Sequence, residues 1–128
     1  MSYRYFSDSE MVCPCGCGKL EMDEDFMYRL IALRGAWGRP IIINSGYRCS
    51  SHDYKIRKIR GQAGTGFHSR GLAADPRIYY DVWDFVSLAF RFGFSGIGVR
   101  AHGPTEVRFI HLHLGDERLT RPAFWTCA

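Results

Sequence analysis

The residues best suited to chemistry lie in the stretch 66–75, where His68 and Asp75 stand on either side of Gly71 and Ala73. Imidazole and carboxylate groups both bind first-row metal ions, and the two small residues allow the backbone to fold close to a bound ion. Two such ligands make an incomplete site, because catalytic zinc usually takes three protein ligands and leaves the fourth position to water. The sequence therefore predicts a metal centre whose remaining protein ligand comes from another part of the chain.

The remaining ligand is expected in the stretch 109–115, which alternates polar and apolar residues as a β-strand does. His111 and His113 then point to one face of the strand, and Ile110, Leu112 and Leu114 point to the other. One histidine can bind the ion while the other serves the chemistry beside it, and the spacing leaves open which does which. A single histidine is more often a structural residue than a ligand, so the prediction depends on both motifs together.

The composition indicates one folded domain over residues 1–128. Hydrophobic residues make up 46% of the chain and aromatic residues 15%, which argues against disorder. The formal net charge is +4 and the pI is near 8.9, without the dense Lys/Arg stripe of a dedicated nucleic-acid-binding protein. We therefore expect no nucleic-acid partner, while an anionic polymer of another kind would suit this charge.

The sequence also bears on where the protein acts. No apolar run is long enough to span a bilayer, so no transmembrane segment is expected. The first eight residues, MSYRYFSD, include no apolar core of a secretory signal. We therefore expect synthesis in the cytoplasm, and a substrate outside the cytoplasm would require delivery by other machinery.

The five cysteines do not resemble a disulfide framework. Their number is odd, and Cys13, Cys15 and Cys17 stand at alternate positions, far along the chain from Cys49 and Cys127. Without a secretory signal, reduced thiols are the default expectation. Zinc knuckles usually separate their cysteines by two to four residues, and the C-x-C-x-C spacing does not fit. The spacing therefore argues against a separate structural metal.

Two long amphipathic helices are predicted to build the core. The first begins near Asp23, which can cap it, and is ended by Gly35 and Gly38. Its apolar residues recur at intervals of three and four: Phe26, Met27, Leu30, Ile31 and Leu33. The second helix spans residues 81–92, and Gly93 terminates it. Its apolar face consists of Val82, Phe85, Val86, Ala89 and Phe90.

The remaining segments predict short strands. Residues 41–43 form a β-branched run typical of a buried strand, and residues 97–101 and 107–114 form a strand pair. Residues 73–78 are expected to be extended, with Pro76 limiting them to a short or edge strand.

A short helix is predicted from Ser51, as its cap, to about Arg60. It carries the main basic cluster, which consists of Lys55, Arg57, Lys58 and Arg60. A solvated helix face explains this cluster better than a substrate-steering patch. The order of elements predicts an α+β fold in which helices flank a small, mainly antiparallel sheet.

The metal-binding motifs, H-x-x-G-x-A-x-D at residues 68–75 and H-x-H at 111–113, resemble those of the zinc D-alanyl-D-alanine carboxypeptidase family. Its relatives include cell-wall L,D- and D,D-peptidases and the hedgehog-type fold. Three further segments are similar to the small single-domain subfamily common in bacteria and phages: F-S-x-x-E at 6–10, C-x-C-G-C-G at 13–18 and P-I-I-I-N-S-G-Y-R at 40–48. The resemblance covers nearly the whole chain.

The resemblance implies a hedgehog-type, carboxypeptidase-like fold and a zinc-dependent peptidase that cleaves peptidoglycan stem peptides or cross-links, as a carboxypeptidase or an endopeptidase. It implies zinc (Zn2+) bound by His68, Asp75 and His113. His111 would then form hydrogen bonds or transfer protons beside the metal, and Arg48 would bind the substrate carbonyl or carboxylate. We expect a monomer that reaches the cell wall through phage lysis or virion machinery, as an endolysin does.

The chain departs from the family pattern at three points. Gly66 stands where the family usually has serine. Many members of the subfamily have H-x-D in place of H-x-H, which leaves open whether His111 or His113 is the ligand. No acidic residue matches the general-base position, since Glu106 and Asp116 flank the predicted strand without belonging to a motif.

Two other functions remain compatible with the sequence. A non-catalytic module of the same fold would keep the zinc in order to bind cell-wall peptides or a protein partner, and the missing base motif favours it. A nucleic-acid-binding protein would use the basic cluster and the cysteine segment. The cluster is short, however, and no aromatic residues interleave with it.

Overall fold

The fold is centred on a five-stranded sheet. The computed structural model describes residues 3–115 and 123–126. The strands in these residues are β1 (Ile42–Ser45), β2 (Ala73–Arg77), β3 (Gly96–Arg100), β4 (Phe109–His113) and β5 (Ala123–Thr126). They lie in the order β1-β2-β4-β3-β5, and each neighbouring pair is antiparallel except β3 with β5. The predicted α+β fold with a small, mainly antiparallel sheet is confirmed.

Helices flank the sheet in the described part of the chain. The α-helices are α1 (Asp8–Met11), α2 (Glu24–Trp37), α3 (Ser50–Ile59) and α4 (Val82–Arg91), and two short 3₁₀ helices span Phe67–Arg70 and Thr105–Val107. None of them is both long and apolar enough to cross a membrane.

The first predicted helix is α2, which Asp23 caps as expected. The Asp23 carboxylate accepts a hydrogen bond of 2.9 Å from the Phe26 N–H group. The helix continues through Gly35, contrary to the prediction, because Trp37 is still buried in the core. Gly38, with a φ of 73°, then ends it in the left-handed conformation that favours glycine.

The core lies between the sheet and the apolar faces of α2 and α4. These helices contribute eight buried residues, namely Phe26, Met27, Leu30, Leu33, Trp37, Phe85, Val86 and Ala89. They pack with Ile97, Ile110 and Leu112 of β3 and β4. The burial of one such side chain stabilises the fold by about 1.5–3 kcal/mol. Most of the buried residues of the two helices belong to the predicted apolar faces.

The helix that carries the basic cluster has its N-cap two residues earlier than predicted, at Cys49. The carbonyl of Cys49 accepts the first helical hydrogen bond, 2.9 Å from the N–H group of Asp53. Ser51 therefore lies inside α3 and is not its cap, which makes that prediction wrong.

Strand β2 is short, as predicted, but it lies inside the sheet between β1 and β4. Pro76 pairs with Ile43 of β1, whereas the pairing with β4 is confined to Ala73 and Ala74. At Pro76, β2 therefore pairs with β1 but no longer with β4. Proline has no N–H group to donate, so it fits a position where no strand pairs with β2 on the β4 side.

Gly71 joins the metal-binding stretch to the start of α2. Its φ is 71°, and a Cβ atom there would lie 2.9 Å from the Cα of Met22 and 2.8 Å from the N of Asp23. The Gly71 carbonyl also accepts a hydrogen bond of 3.0 Å from the Asp23 N–H group. The glycine is therefore required by backbone packing, and not by close approach to an ion as its position in the motif suggests.

Replacement of Gly71 by alanine should destabilise the fold more than the same change at Gly64. Gly64 also has a positive φ, 66°, but a Cβ atom there meets nothing within 4 Å. We expect Gly64→Ala to cost about 1 kcal/mol of unfolding free energy from backbone strain alone. Gly71→Ala adds a clash with the backbone and should cost about 2–4 kcal/mol. Urea denaturation of both variants measures the difference, and equal losses would contradict the packing role.

Candidate metal centre

Strands β2 and β4 stop pairing at the point where the candidate metal ligands meet. Their antiparallel register pairs Ala74 with Leu112, so the next step brings Asp75 opposite His111. The backbone ladder ends before this step, and side chains take its place. Nδ1 of His111 lies 2.8 Å from Oδ1 of Asp75.

His68 approaches the same carboxylate from the 3₁₀ helix Phe67–Arg70. Its Nε2 lies 3.4 Å from Oδ2 of Asp75. One candidate ligand atom from each of His68, Asp75 and His111 lies within 4.8 Å of the other two. Ligand atoms around a tetrahedral zinc, each at about 2.1 Å, are about 3.4 Å apart. The three side chains are therefore close to the spacing that a single ion requires.

The imidazole of His68 is held in the orientation of a metal ligand. Its Nδ1 lies 2.7 Å from the carbonyl oxygen of Gly46. A carbonyl only accepts hydrogen bonds, so Nδ1 donates and Nε2 keeps its lone pair on the side of Asp75. Histidine ligands of metals usually donate their other N–H group in this way, which fixes both the tautomer and the ring.

Arg48 supports the carboxylate from behind. Its NH2 group lies 3.5 Å from Oδ2 of Asp75, and its NH1 group lies 3.1 Å from Oδ1 of Asp53. Its Nε donates to the hydroxyl of Ser45 at 3.1 Å. The Arg48 side chain is only 8% exposed, so most of its donors are already used by the protein. Its position suits the orientation of Asp75, and the binding of a substrate carbonyl or carboxylate by Arg48, which also lines the groove above the site, stays a prediction.

The charge on Asp75 is stabilised by its neighbours. Burial alone would raise the pKa of Asp75, but His68 and the hydrogen bond with His111 hold that pKa well below its usual range. Asp75 is therefore ionised at neutral pH, which is the state that a metal ligand needs.

His113 lies beside this group, one contact further from Asp75. Its Nδ1 is 2.9 Å from Nε2 of His111, and its ring stacks on Phe67 with the centroids 4.0 Å apart. A Cβ atom on Gly96 of β3 would overlap the ring, so the glycine makes room for it. Burial, together with the proximity of His111 and His68, lowers the pKa of His113 to about 4, and the ring is neutral at neutral pH.

Both strand histidines thus lie at the site, but in different positions. The three-residue group contains His111, while His113 contacts that group through His111. Of the two assignments that the sequence left open, this arrangement favours His111 as the third ligand. The assignment of His113 to the metal stays a prediction that metal analysis of variants can decide.

A groove of about 710 Å³ opens over the three residues. Four arginines line it, namely Arg48, Arg57, Arg60 and Arg100, and so do the aromatic residues Phe67, Phe109 and Trp125. Two of these arginines, Arg57 and Arg60, belong to the basic cluster for which the sequence favoured a solvated face. The groove therefore combines positive charge with an apolar wall.

Gly66, the position where the family usually has serine, borders Arg57 directly. A Cβ atom on Gly66 would lie 2.9 Å from the NH1 group of Arg57. The guanidinium also donates two hydrogen bonds to the carbonyl of Ala63, at 3.3 Å and 3.1 Å. The glycine thus leaves space for Arg57, which connects this departure from the family pattern with the charge of the groove.

The carboxylates that line the groove among the described residues are Asp53 and Asp75, and both are already engaged. Neither of these two carboxylates is therefore free to serve as a general base. Asp116 lies outside the residues that the structure describes, as does the side chain of Glu106.

Asp53 is the residue at the site that sequence reasoning missed. It is 1% exposed, and its second oxygen accepts a hydrogen bond of 2.6 Å from the N–H group of Gly66. One carboxylate therefore ties Arg48 to the loop before His68. An acidic residue in the first turn of a helix is ordinarily explained by its favourable interaction with the helix dipole. The sequence around Asp53 contains no signal that distinguishes it from such a residue.

Comparison with known proteins places the chain in a family. No curated protein matches the chain. The family model described as Peptidase M15 matches residues 4–113, which include both metal-binding motifs. The predicted resemblance is confirmed, and because the match covers most of the sequence, the chain belongs to the Peptidase M15 family.

Proposed function

We propose that this protein is a zinc-dependent peptidase that cleaves peptidoglycan stem peptides or cross-links. The observation that carries the proposal is the group of His68, Asp75 and His111 at a groove lined by arginines. Imidazole nitrogen and carboxylate oxygen are the donors that catalytic zinc sites use, with three protein ligands and one open position. The open groove gives a peptide access to that position.

The protein side chains would orient the metal ligands and transfer protons. Bound zinc would lower the pKa of its water from 15.7 to about 7 and polarise the scissile carbonyl. Arg48 and Asp53 keep Asp75 in place, and Gly46 keeps His68 in its tautomer. The strand histidine that does not bind zinc is placed to move a proton, a role worth about 10²–10⁴-fold in rate.

The arginines of the groove favour an anionic peptide as the substrate. Stem peptides carry free carboxylates on their side chains and at their C-termini. Guanidinium groups bind carboxylates through two parallel hydrogen bonds, and Arg60 and Arg100 line the groove. Arg57 adds positive charge beside them, although two of its N–H groups already donate to Ala63. Phe109 and Trp125 offer the aliphatic parts of such a peptide an apolar surface.

Digestion of purified peptidoglycan tests the proposal directly. We expect the wild-type protein to release fragments whose masses identify one cleaved amide bond, and we expect a chelator to stop their release. His68→Ala serves as the control, because it removes a ligand without touching the arginines. Protein that binds peptidoglycan but yields no fragments, with or without zinc, would instead support the non-catalytic module.

Substitution of the two strand histidines should separate the ligand from its neighbour. Because His111 belongs to the three-residue group, we expect His111→Ala to lose one equivalent of metal relative to wild type, together with activity. His113→Ala should keep that metal, while cleavage falls by about a hundredfold, the scale of a lost proton-transfer group. Elemental analysis and turnover of both variants measure this.

The reverse pattern, with metal lost from His113→Ala and kept in His111→Ala, would restore the assignment implied by the family resemblance. If both variants keep the metal and cleave at the wild-type rate, neither histidine takes part in the reaction and the proposed mechanism fails.

Arg48→Lys should weaken the metal centre although the charge is conserved. A lysine ammonium cannot bridge Asp53 and Asp75 as the planar guanidinium does. Loss of a residue that orients a ligand typically costs 10–100-fold in metal affinity or activity, and we expect a loss of about this size in a zinc competition titration. Arg39→Lys is the matched control, since its exposed ion pair with Asp81 lies outside the groove. Equal zinc affinities in the two variants would remove Arg48 from the support of Asp75.

A further inference from the structure

Four cysteines meet at one place outside the groove. Cys13, Cys15 and Cys17 follow α1, and Cys49 immediately precedes α3. All four sulfur atoms lie within 4.8 Å of one another. The distance from Cys13 to Cys15 is 3.4 Å between sulfurs, and that from Cys15 to Cys49 is 3.7 Å.

These distances match a tetrathiolate and not a disulfide. The sulfur atoms of a tetrahedral zinc site, each about 2.3 Å from the ion, are about 3.8 Å apart. A disulfide requires about 2.05 Å, and the four described cysteines are free thiols. The arrangement therefore approaches the corners of a tetrahedron.

The backbone favours thiolates at this cluster. The N–H group of Cys49 donates to the sulfur of Cys13 at 3.2 Å, and the N–H group of Lys19 donates to the sulfur of Cys17 at 3.4 Å. Hydrogen bonds of this kind orient metal ligands and stabilise their charge.

Glycines explain how cysteines at alternate positions converge. Gly16 and Gly18 have φ values of 91° and 75°, and a Cβ atom on either would meet nothing within 4 Å. Their role is conformational, because the left-handed region allows a tight turn that a side chain would strain. The turn brings the sulfur atoms of Cys13, Cys15 and Cys17 towards Cys49. Four cysteines can therefore meet although their spacing differs from that of zinc knuckles.

We propose that Cys13, Cys15, Cys17 and Cys49 bind a second, structural zinc ion. Four thiolates fill the tetrahedral coordination of zinc and leave no open position, which distinguishes this site from the candidate catalytic centre. Soft thiolate ligands also select zinc over the hard cations calcium and magnesium. Cys13 and Cys49 are buried, while Cys15 and Cys17 are exposed and give the ion a route from solvent.

The proposed ion would fasten the N-terminal segment to the loop that supports the groove. The N–H group of Tyr47 already donates to the carbonyl of Met11 at 2.8 Å, and Tyr47 packs with Cys13 and Cys49. The same loop carries Arg48 and the Gly46 carbonyl, which hold Asp75 and His68. The cysteine site stands on its own geometry and does not depend on the proposed peptidase activity.

Metal counting in protein purified under reducing conditions tests this site. We expect two equivalents of zinc in the wild type and one in His68→Ala. The double variant Cys15→Ser/Cys17→Ser should also hold one, and its two exposed positions place little of the core at risk. His102→Ala, which changes an exposed histidine outside both groups, is the matched control and should keep two.

Cobalt substitution assigns each equivalent to its ligands. Thiolate-to-cobalt charge-transfer absorption should persist in His68→Ala and be lost, or reduced at least severalfold, in the double cysteine variant. The proposal is overturned if the wild type lacks this absorption, or if the double cysteine variant retains all of the wild-type metal. If the wild-type protein binds two equivalents of zinc but does not cleave peptidoglycan, the cysteine site is supported and only the proposed peptidase function is wrong.

Discussion

The ionised carboxylate of Asp75 is the constraint on which the site depends. A buried charge is costly unless it is paired and hydrogen-bonded, and Asp75 meets this requirement through Arg48, His68 and His111. Each of these partners is fixed in turn by a further contact: Arg48 by Asp53, His68 by the Gly46 carbonyl and His111 by the second strand histidine. The chain thus surrounds one negative charge with groups that also arrange the candidate metal ligands.

The loop from Ser45 to Cys49 connects this arrangement with the rest of the fold. Ser45 and Arg48 face the carboxylate side, while Cys49 faces the cysteine cluster. Gly46 lies between them, and a Cβ atom there would come within 2.9 Å of the Met11 carbonyl oxygen. The loop therefore has little freedom to move without disturbing the orientation of His68, which the same glycine holds through its carbonyl.

The spacing of apolar residues along the chain predicted which faces of the helices and strands are buried. The three- and four-residue spacing identified the buried faces of α2 and α4, and alternation identified Ile110 and Leu112 as the core side of β4. Contacts between distant segments escaped prediction. The cysteine cluster depends on the turn at Gly16 and Gly18 and on Cys49, which follows β1. The role of Asp53 depends on its hydrogen bond with Gly66, 13 residues further along the chain. The choice between two histidines on one strand face depends on side-chain torsions that spacing does not specify.

Trp125 of β5 gives the site an optical reporter. Its ring centroid lies 5.7 Å from that of His111 and 5.5 Å from that of His113, and Gly98 of β3 leaves the space that it occupies. An imidazolium at this distance quenches indole fluorescence by accepting charge from the excited ring, and the electric field of a bound ion shifts the emission. Trp37 packs on Phe85 in the core, away from these rings. Trp83 is exposed and contacts Phe124. The part of an emission change that a Trp125→Phe variant loses would therefore report on the strand histidines, which makes occupancy of the centre readable in unlabelled protein.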